Sequence, residues 1–233
     1  MLWGRAFSTI FMSFAVKRGV HSAASSSPMI VVFGRPGAGK STVANEALQR
    51  IQSSPSTTIS SIYPLGLDLD VCVPQWMKDN FAKGIYPTLE QRHQFAQEAC
   101  DYVEKSLSDV EKNVQPIAVV SFSFVNTDLR DNFRQRFPQT KWVLVDTSEE
   151  EAAMRIQQRE GHFYKGSKSE IENNSDEQVT SNTKDDSEAE SDNSEWLFAP
   201  VDFEHTILDG ANSIEDNAAI LLSIIEDEVK QLA

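Results

Sequence analysis

Cysteine is nearly missing from this chain of 233 residues, and its two copies, Cys72 and Cys100, are too few for a disulfide framework. Their spacing fits no metal-ligand set, so both are expected as small, mostly buried apolar residues. Histidine is just as sparse. His21, His93, His162 and His205 are scattered along the chain, and no zinc site is expected from them. Basic residues are outnumbered, 21 Lys and Arg against 35 Asp and Glu, for a net charge of −14. That balance excludes an ordinary nucleic-acid binder, whose partner's phosphates need a basic face. No internal repeat is visible. What remains is a 40% hydrophobic content, enough to build the core of one domain of ordinary size.

Acidic residues are themselves absent before Glu46. The first 27 residues carry Arg5, Lys17, Arg18 and His21 among Phe7, Ile10, Phe11, Phe14 and Val16, followed by a serine cluster. An acid-free, Arg- and Ser-containing amphipathic start has the composition of an organellar transit peptide. Its apolar part is too short and too interrupted to span a membrane. A mitochondrial address is expected, with plastid and cytosol as alternatives, and the folded domain is expected over residues 28–233. The reverse bias marks residues 167–195, rich in Asp, Glu, Ser and Asn with almost no large apolar side chains. Such a run buries too little surface to offset its ordering entropy, and a disordered acidic insertion is expected there. A solvated spacer is the plain reading; serines beside acids also admit phosphorylation.

Against this background one segment stands out. Gly34-Arg35-Pro36-Gly37-Ala38-Gly39-Lys40-Ser41-Thr42 matches G-x-x-x-x-G-K-[ST], a phosphate-binding loop. The apolar run Met29–Phe33 precedes it and a helix-compatible stretch follows, which is the strand–loop–helix context the motif needs. Its glycines let backbone N–H groups turn inward toward phosphate oxygens, and the helix N-terminus adds its partial positive charge. Lys40 is expected to reach the β- and γ-phosphates, and the Ser41 hydroxyl to ligate Mg²⁺.

Periodicity organises the rest. Strands are expected over 58–69, 116–122, 141–146 and 205–209, alternating with helices over 74–81, 88–114, 127–137, 149–159 and 214–232. The alternation predicts an α/β fold: a doubly wound, five-stranded parallel sheet of the P-loop NTPase type, helices on both faces, with a mobile lid. Ligands in such sheets bind at the carboxyl ends of the strands. That rule selects the phosphate loop, Asp68 and Asp70 after the second strand, and Ser121 to Asn126 after the third.

A GTPase is disfavoured, since no N-K-x-D guanine-binding segment or suitably placed D-x-x-G switch is present. The domain is also small for a typical AAA or ABC module. A small-molecule kinase, which needs a phosphate loop, an acid to receive the acceptor hydroxyl's proton and a mobile Arg-bearing lid, fits better.

At this level the chain resembles the gluconokinase branch of the shikimate-kinase-like kinases. The resemblance runs from about Met29 to the closing helix. It rests on G-R-P-G-A-G-K-S-T-V-A, on Asp68-Leu69-Asp70-Val71-Cys72-Val73-Pro74 against D-G-D-x-x-H-P, and on Arg130-Asp131-Asn132-Phe133-Arg134 against R-D-x-L-R. Arg159-Glu160-Gly161-His162-Phe163 resembles the R-x-G-H-F that begins the lid. Val73 stands in place of the motif histidine. Gly84 to Arg92 resembles G-x-P-L-x-D-x-D-R in outline, with Arg92 in its place and Leu89 and Gln91 at the acidic positions. The resemblance implies ATP and Mg²⁺ as cofactors, a small hydroxyl acceptor such as a sugar acid, no nucleic-acid or membrane partner, and a monomer or homodimer. Shikimate-like or nucleoside and nucleotide acceptors, and a non-catalytic ATP-binding module, are the alternatives.

Roles follow. Asp68 or Asp70 is expected to take the acceptor proton, with Mg²⁺ binding through water or capping of the next helix as other uses. Arg92, Arg130 and Arg134 are candidates to grip an anionic acceptor, or else surface ion pairs. Arg155 and Arg159, one helical turn apart, are expected to face the phosphates, with Arg159 on the transferring group. His162 is expected to shape the lid at the acceptor.

Overall fold

The computed structural model describes residues 27–53, 62–111, 114–159, 164 and 197–231. Residues 1–26 of the proposed transit segment, the acidic insertion and His162 lie outside the described residues. Strand β1 is Met29–Phe33 and helix α1 is Lys40–Ser53. Strand β2, Ile62–Asp68, runs into a short 3₁₀ turn over Leu69–Cys72. Helices α2, Gln75–Phe81, and α3, Leu89–Ser108, come next. Strand β3 is Gln115–Phe122, α4 is Thr127–Arg136, β4 is Lys141–Asp146 and α5 is Glu149–Gln158. Strand β5, Thr206–Asp209, and helix α6, Ile214–Lys230, complete the described elements.

The strands form one sheet in the order β2-β3-β1-β4-β5, every neighbouring pair parallel. All five residues of β1 are buried, as a central strand covered on both faces requires. Its pleat divides the core. Met29, Val31 and Phe33 face a cluster with Val103, Phe133 and Trp142, while Ile30 and Val32 face Val43, Ala47, Leu221 and Ile225. Fully burying each such side chain contributes about 1.5–3 kcal/mol. Among the described residues no helix is long and apolar enough to cross a membrane.

Helix starts follow their sequence signals. Thr88 caps α3 with a full capping box, its Oγ1 accepting from Gln91 N while Gln91 Oε1 accepts from Thr88 N. Gln91, an oddity in the motif reading, is thus engaged at the cap. The helix ends at Ser108 instead of the expected Val114: Asp109 is its C-cap, and the chain must turn back to begin β3 at Gln115.

A strap over residues 197–203 packs on the same face of the sheet as α3 and α4. Ala199 N donates to Val125 O at 3.0 Å. Phe203 lies edge-on to Trp142 at 5.1 Å and stacked on Phe33 at 5.9 Å.

Candidate active site

The strand order reverses at β1, which lies between β3 and β4, and the carboxyl ends there open onto a crevice. The phosphate loop fills the gap between β1 and α1. Gly34 has φ +149°, and a Cβ there would lie 2.5 Å from Val145 O; Gly37 has φ +84°, and its Cβ would meet Ala152 O at 2.4 Å. Neither position admits a side chain. The loop is thus wedged between β4 and α5, with its last residues leading into the first turn of α1.

Lys40 is buried, and its Nζ donates to Arg35 O at 2.9 Å. Burial pushes the Lys40 ammonium down to about 8; Asp70 and, less strongly, Asp68 oppose that shift, and Arg159 reinforces it. Lys40 therefore feels the charge of the three other predicted catalytic groups. Ser41 Oγ lies 3.2 Å from Ser121 Oγ. Register places Ser121 opposite both Asp68 on β2 and Val32 on β1, which brings the ends of three strands to Ser41.

A cleft of about 800 Å³, its open mouth included, runs outward from this point. Pro36, Lys40, Ser41, Asp68, Asp70 and Arg159 line its phosphate end. Asp68 Oδ1 accepts from Asp70 N at 3.0 Å, capping the 3₁₀ turn that follows β2. That bond fixes the backbone that carries Asp70. Cys72, in the same turn, is half-buried, and burial pushes its thiol up to about 11, far from thiolate character at neutral pH. These hydroxyl and carboxylate oxygens are hard donors suited to Mg²⁺: Ser41 directly, and Asp68, Asp70 or Ser121 through its waters.

A second cleft lies across the loop, lined by Gly37, Ala38, Gly39, Thr42, Arg155, Gln158, Arg159, Gly210, Asn212 and Asn217. Arg155 braces its floor, donating from Nη1 to Ala38 O at 3.4 Å and from Nη2 to Gly210 O at 3.0 Å, and pairing with Glu151. Arg159 lines both clefts. Arg35 turns outward, ion-paired with Glu149 at 3.5 Å and lying over the Phe198 ring at 5.8 Å.

Two of the expected acceptor arginines belong elsewhere. Arg130 is 1% exposed, and its guanidinium is spent on backbone: Nε on Phe124 O at 2.7 Å, Nη1 on Pro200 O at 2.8 Å, Nη2 on Ala199 O at 2.9 Å and Val125 O at 3.2 Å. It stitches the 197–203 strap to the loop after β3, where Phe124 takes a left-handed φ of +45°. Burial lowers its titration to about 10, so it stays a cation at neutral pH. Arg134 is on the surface, 3.4 Å from Asp131 and over the Phe203 ring at 4.3 Å. Arg92 does reach the first cleft, but its Nε is held by Asp128 at 3.0 Å and its Nη1 by Pro87 O at 3.0 Å.

Several lining residues escape sequence reasoning. Asn212 and Asn217 follow β5, where the strand-end rule applies as much as it does after β2, and Asn217 Nδ2 holds Asp209 O at 2.8 Å. Met77, Phe81, Phe95 and Tyr164 line the first cleft, although their spacing alone marks them as core.

These features define a P-loop protein with the fold shared by small-molecule kinases. A family model described as an AAA domain matches residues 29–183, and the chain belongs to that family. The size-based argument against an AAA module is corrected to that extent: the match covers β1 to α5, which holds the phosphate-loop core. Among solved structures, a gluconokinase from Sinorhizobium meliloti 1021 is similar at 21% identity, covering 89% of this chain and 98% of its own, with a TM-score of 0.56. A sugar kinase from Janibacter sp. HTCC2649 matches at 17% identity over 86% of this chain and 95% of its own, with a TM-score of 0.56. An APS kinase from Mycobacterium tuberculosis, solved with AMPPNP and APS, matches at 15% identity over 86% and 98%, also at 0.56. At these identities the likeness establishes the fold. No curated protein sequence matches the chain.

Proposed function

We propose that the chain is an ATP-dependent kinase that phosphorylates a hydroxyl of a small molecule. The meeting of two clefts at Arg159, across a phosphate loop with Lys40, Asp68 and Asp70 beside it, carries this reading. The cleft bounded by Arg155 and Asn212 takes ATP, whose phosphates run along the loop toward Lys40. The acceptor enters from the other side with its hydroxyl toward Asp70. The acceptor oxygen attacks Pγ in line; the new O–P bond forms as the bond to the bridging β,γ-oxygen breaks, and that electron pair leaves with ADP. The hydroxyl proton passes to the Asp70 carboxylate and then to solvent. Lys40 and Arg159 offset charge on the transferring group. Mg²⁺, when bound, adds charge neutralisation between the phosphates.

The motif resemblance supports a sugar acid such as gluconate as acceptor. Of the three arginines expected to hold its carboxylate, Arg92 alone lines the cleft. A ring-bodied acceptor, shikimate-like or nucleoside-like, is the second reading, favoured by the aromatic side chains at the acceptor end. The acid-free first 27 residues support a mitochondrial address.

The test is acceptor-stimulated ADP release across sugar acids, shikimate and nucleoside monophosphates, with Lys40→Ala as control. Stimulation by one class, lost in the variant, supports the reading. Tight ATP binding by calorimetry with no transfer to any acceptor refutes it in favour of a non-catalytic ATP-binding module.

A further inference from the structure

The acceptor end of the cleft is chemically one-sided. Beyond Asp70 its wall is Val73, Met77, Phe81, Phe95, Leu129 and Tyr164. None of these is more than 8% exposed. Phe81 and Tyr164 meet edge-on with ring centroids 5.9 Å apart, and Phe95 leans on Phe122, another lining ring, at 5.1 Å. Among the described residues, the polar side-chain groups at this end are Ser123, Arg92 and the Tyr164 hydroxyl. Arg92 comes already paired: Asp128 and Pro87 O hold its guanidinium, and the side chains of the ion pair are 8% and 19% exposed. A carboxylate brought to Arg92 would share it with the Asp128 carboxylate, and two like charges on one cation disfavour each other.

An open-chain sugar acid carries a hydroxyl on almost every carbon. Each hydroxyl placed against this wall without a partner costs about five- to a hundredfold in affinity. A flat apolar ring meets the opposite balance. It buries its body against Val73 and Met77 and sets its edge or face to Phe81, Phe95 and Tyr164 in the offset and edge-on geometries that aromatic rings favour.

Granting the phosphotransfer reading, on which this rests, we infer that the acceptor is a ring alcohol. It has a flat, largely apolar ring, bears the reactive hydroxyl on its edge or on a one-carbon arm, and carries at most one further polar group. The hydroxyl points to Asp70 and the phosphate end, while the ring fills the apolar end. Val73 then sets specificity: it lines the cleft as the C-cap of the turn that carries Asp70.

The experiment uses the full chain with ATP and Mg²⁺ and four acceptors: benzyl alcohol, hydroxymethylpyridine, gluconate and glycerol. ADP release gives kcat/KM, and phosphorus NMR identifies the phosphate ester. The ring alcohols are expected to exceed gluconate and glycerol by about tenfold or more. Gluconate at parity or better overturns the ring-alcohol assignment and leaves phosphotransfer standing. No ester from any acceptor, with ATP binding intact by calorimetry, overturns both. Val73→Thr places a hydroxyl in the wall at nearly constant volume. It is expected to raise KM for the ring alcohol about threefold or more while KM for ATP stays fixed. An unchanged acceptor KM refutes the role given to this wall.

Discussion

Lys40 offers the sharpest quantitative test, because its burial and its function pull its proton in opposite directions. In the free protein, burial brings its titration down to about 8, and Nζ rests on Arg35 O. A bound triphosphate brings several negative oxygens to the same ammonium, and opposite charge favours the protonated form. Binding ATP should therefore draw a proton from solvent whenever the free lysine has lost its own. A group titrating at about 8 is roughly three-quarters deprotonated near pH 8.5, so uptake of about 0.8 proton per site is expected there, and almost none near pH 6.5. Phosphate completes its own ionisation around pH 6, so ATP supplies little of the signal at the upper end. Calorimetric titration in buffers of different ionisation enthalpy reads the uptake as a slope. The sign also applies to stability. The folded-state value lies below the usual 10.5, so charged Lys40 costs stability below about pH 8, and that cost is relieved as pH rises toward 10.5. Lys40→Arg, which keeps its charge throughout, should abolish the slope. A flat slope for the native protein up to about pH 9.5, or an unchanged slope in Lys40→Arg, would show that Lys40 is not the buried, poised cation described above.

Other expectations concern single side chains. Asp70→Asn should lower kcat about 10²–10⁴-fold, whereas Asp68→Asn, which keeps an oxygen able to accept from Asp70 N, should cost less; steady-state kinetics with equal losses would refute the division of roles. Gly37→Ala forces a side chain into φ +84° against Ala152 O, and should lower Tm by on the order of 5 °C in thermal unfolding and weaken ATP binding. Arg130→Met takes the side-chain donor from Phe124 O, Ala199 O and Pro200 O, while Val125 O keeps its bond from Ala199 N, and should cost about 3–5 kcal/mol by denaturant titration. Arg134→Ala should leave the acceptor KM unchanged, and a large rise would return it to the acceptor site. Fusion of residues 1–27 to a fluorescent protein should direct it to mitochondria, and a diffuse cytosolic signal refutes that address.

The sheet was legible because its signals are local. Met29–Phe33 and Lys141–Asp146 are continuous apolar or near-apolar runs, and they form β1 and β4 with the same bounds. The phosphate loop was legible because its glycines answer a backbone need that no other residue meets. The acceptor side was harder to read, because a side chain's direction does not show what lies opposite it. Arg130 sits in a motif that suggests an anion, yet two of its carbonyl partners are 69 and 70 residues away along the chain. Phe81 and Phe95 obey helical spacing whether the space they face is filled by protein or open to a ligand. Gln91 reads as a lost acid in the motif and as a good cap in the helix, and the structure puts it to the second use.

The Arg130 stitch has a consequence for how this chain tolerates change. Tyr164 is packed against Phe81 on one side, and Ala199 and Pro200 are pinned by Arg130 on the other, so both ends of the stretch between them are anchored independently. Joining two fixed anchors costs only about 0.6 kcal/mol more for each doubling of the connecting length. On this arithmetic, replacing the acidic run of residues 167–195 with a short Gly-Ser bridge, or grafting a reporter domain between the two anchors, should leave the sheet and phosphate loop intact.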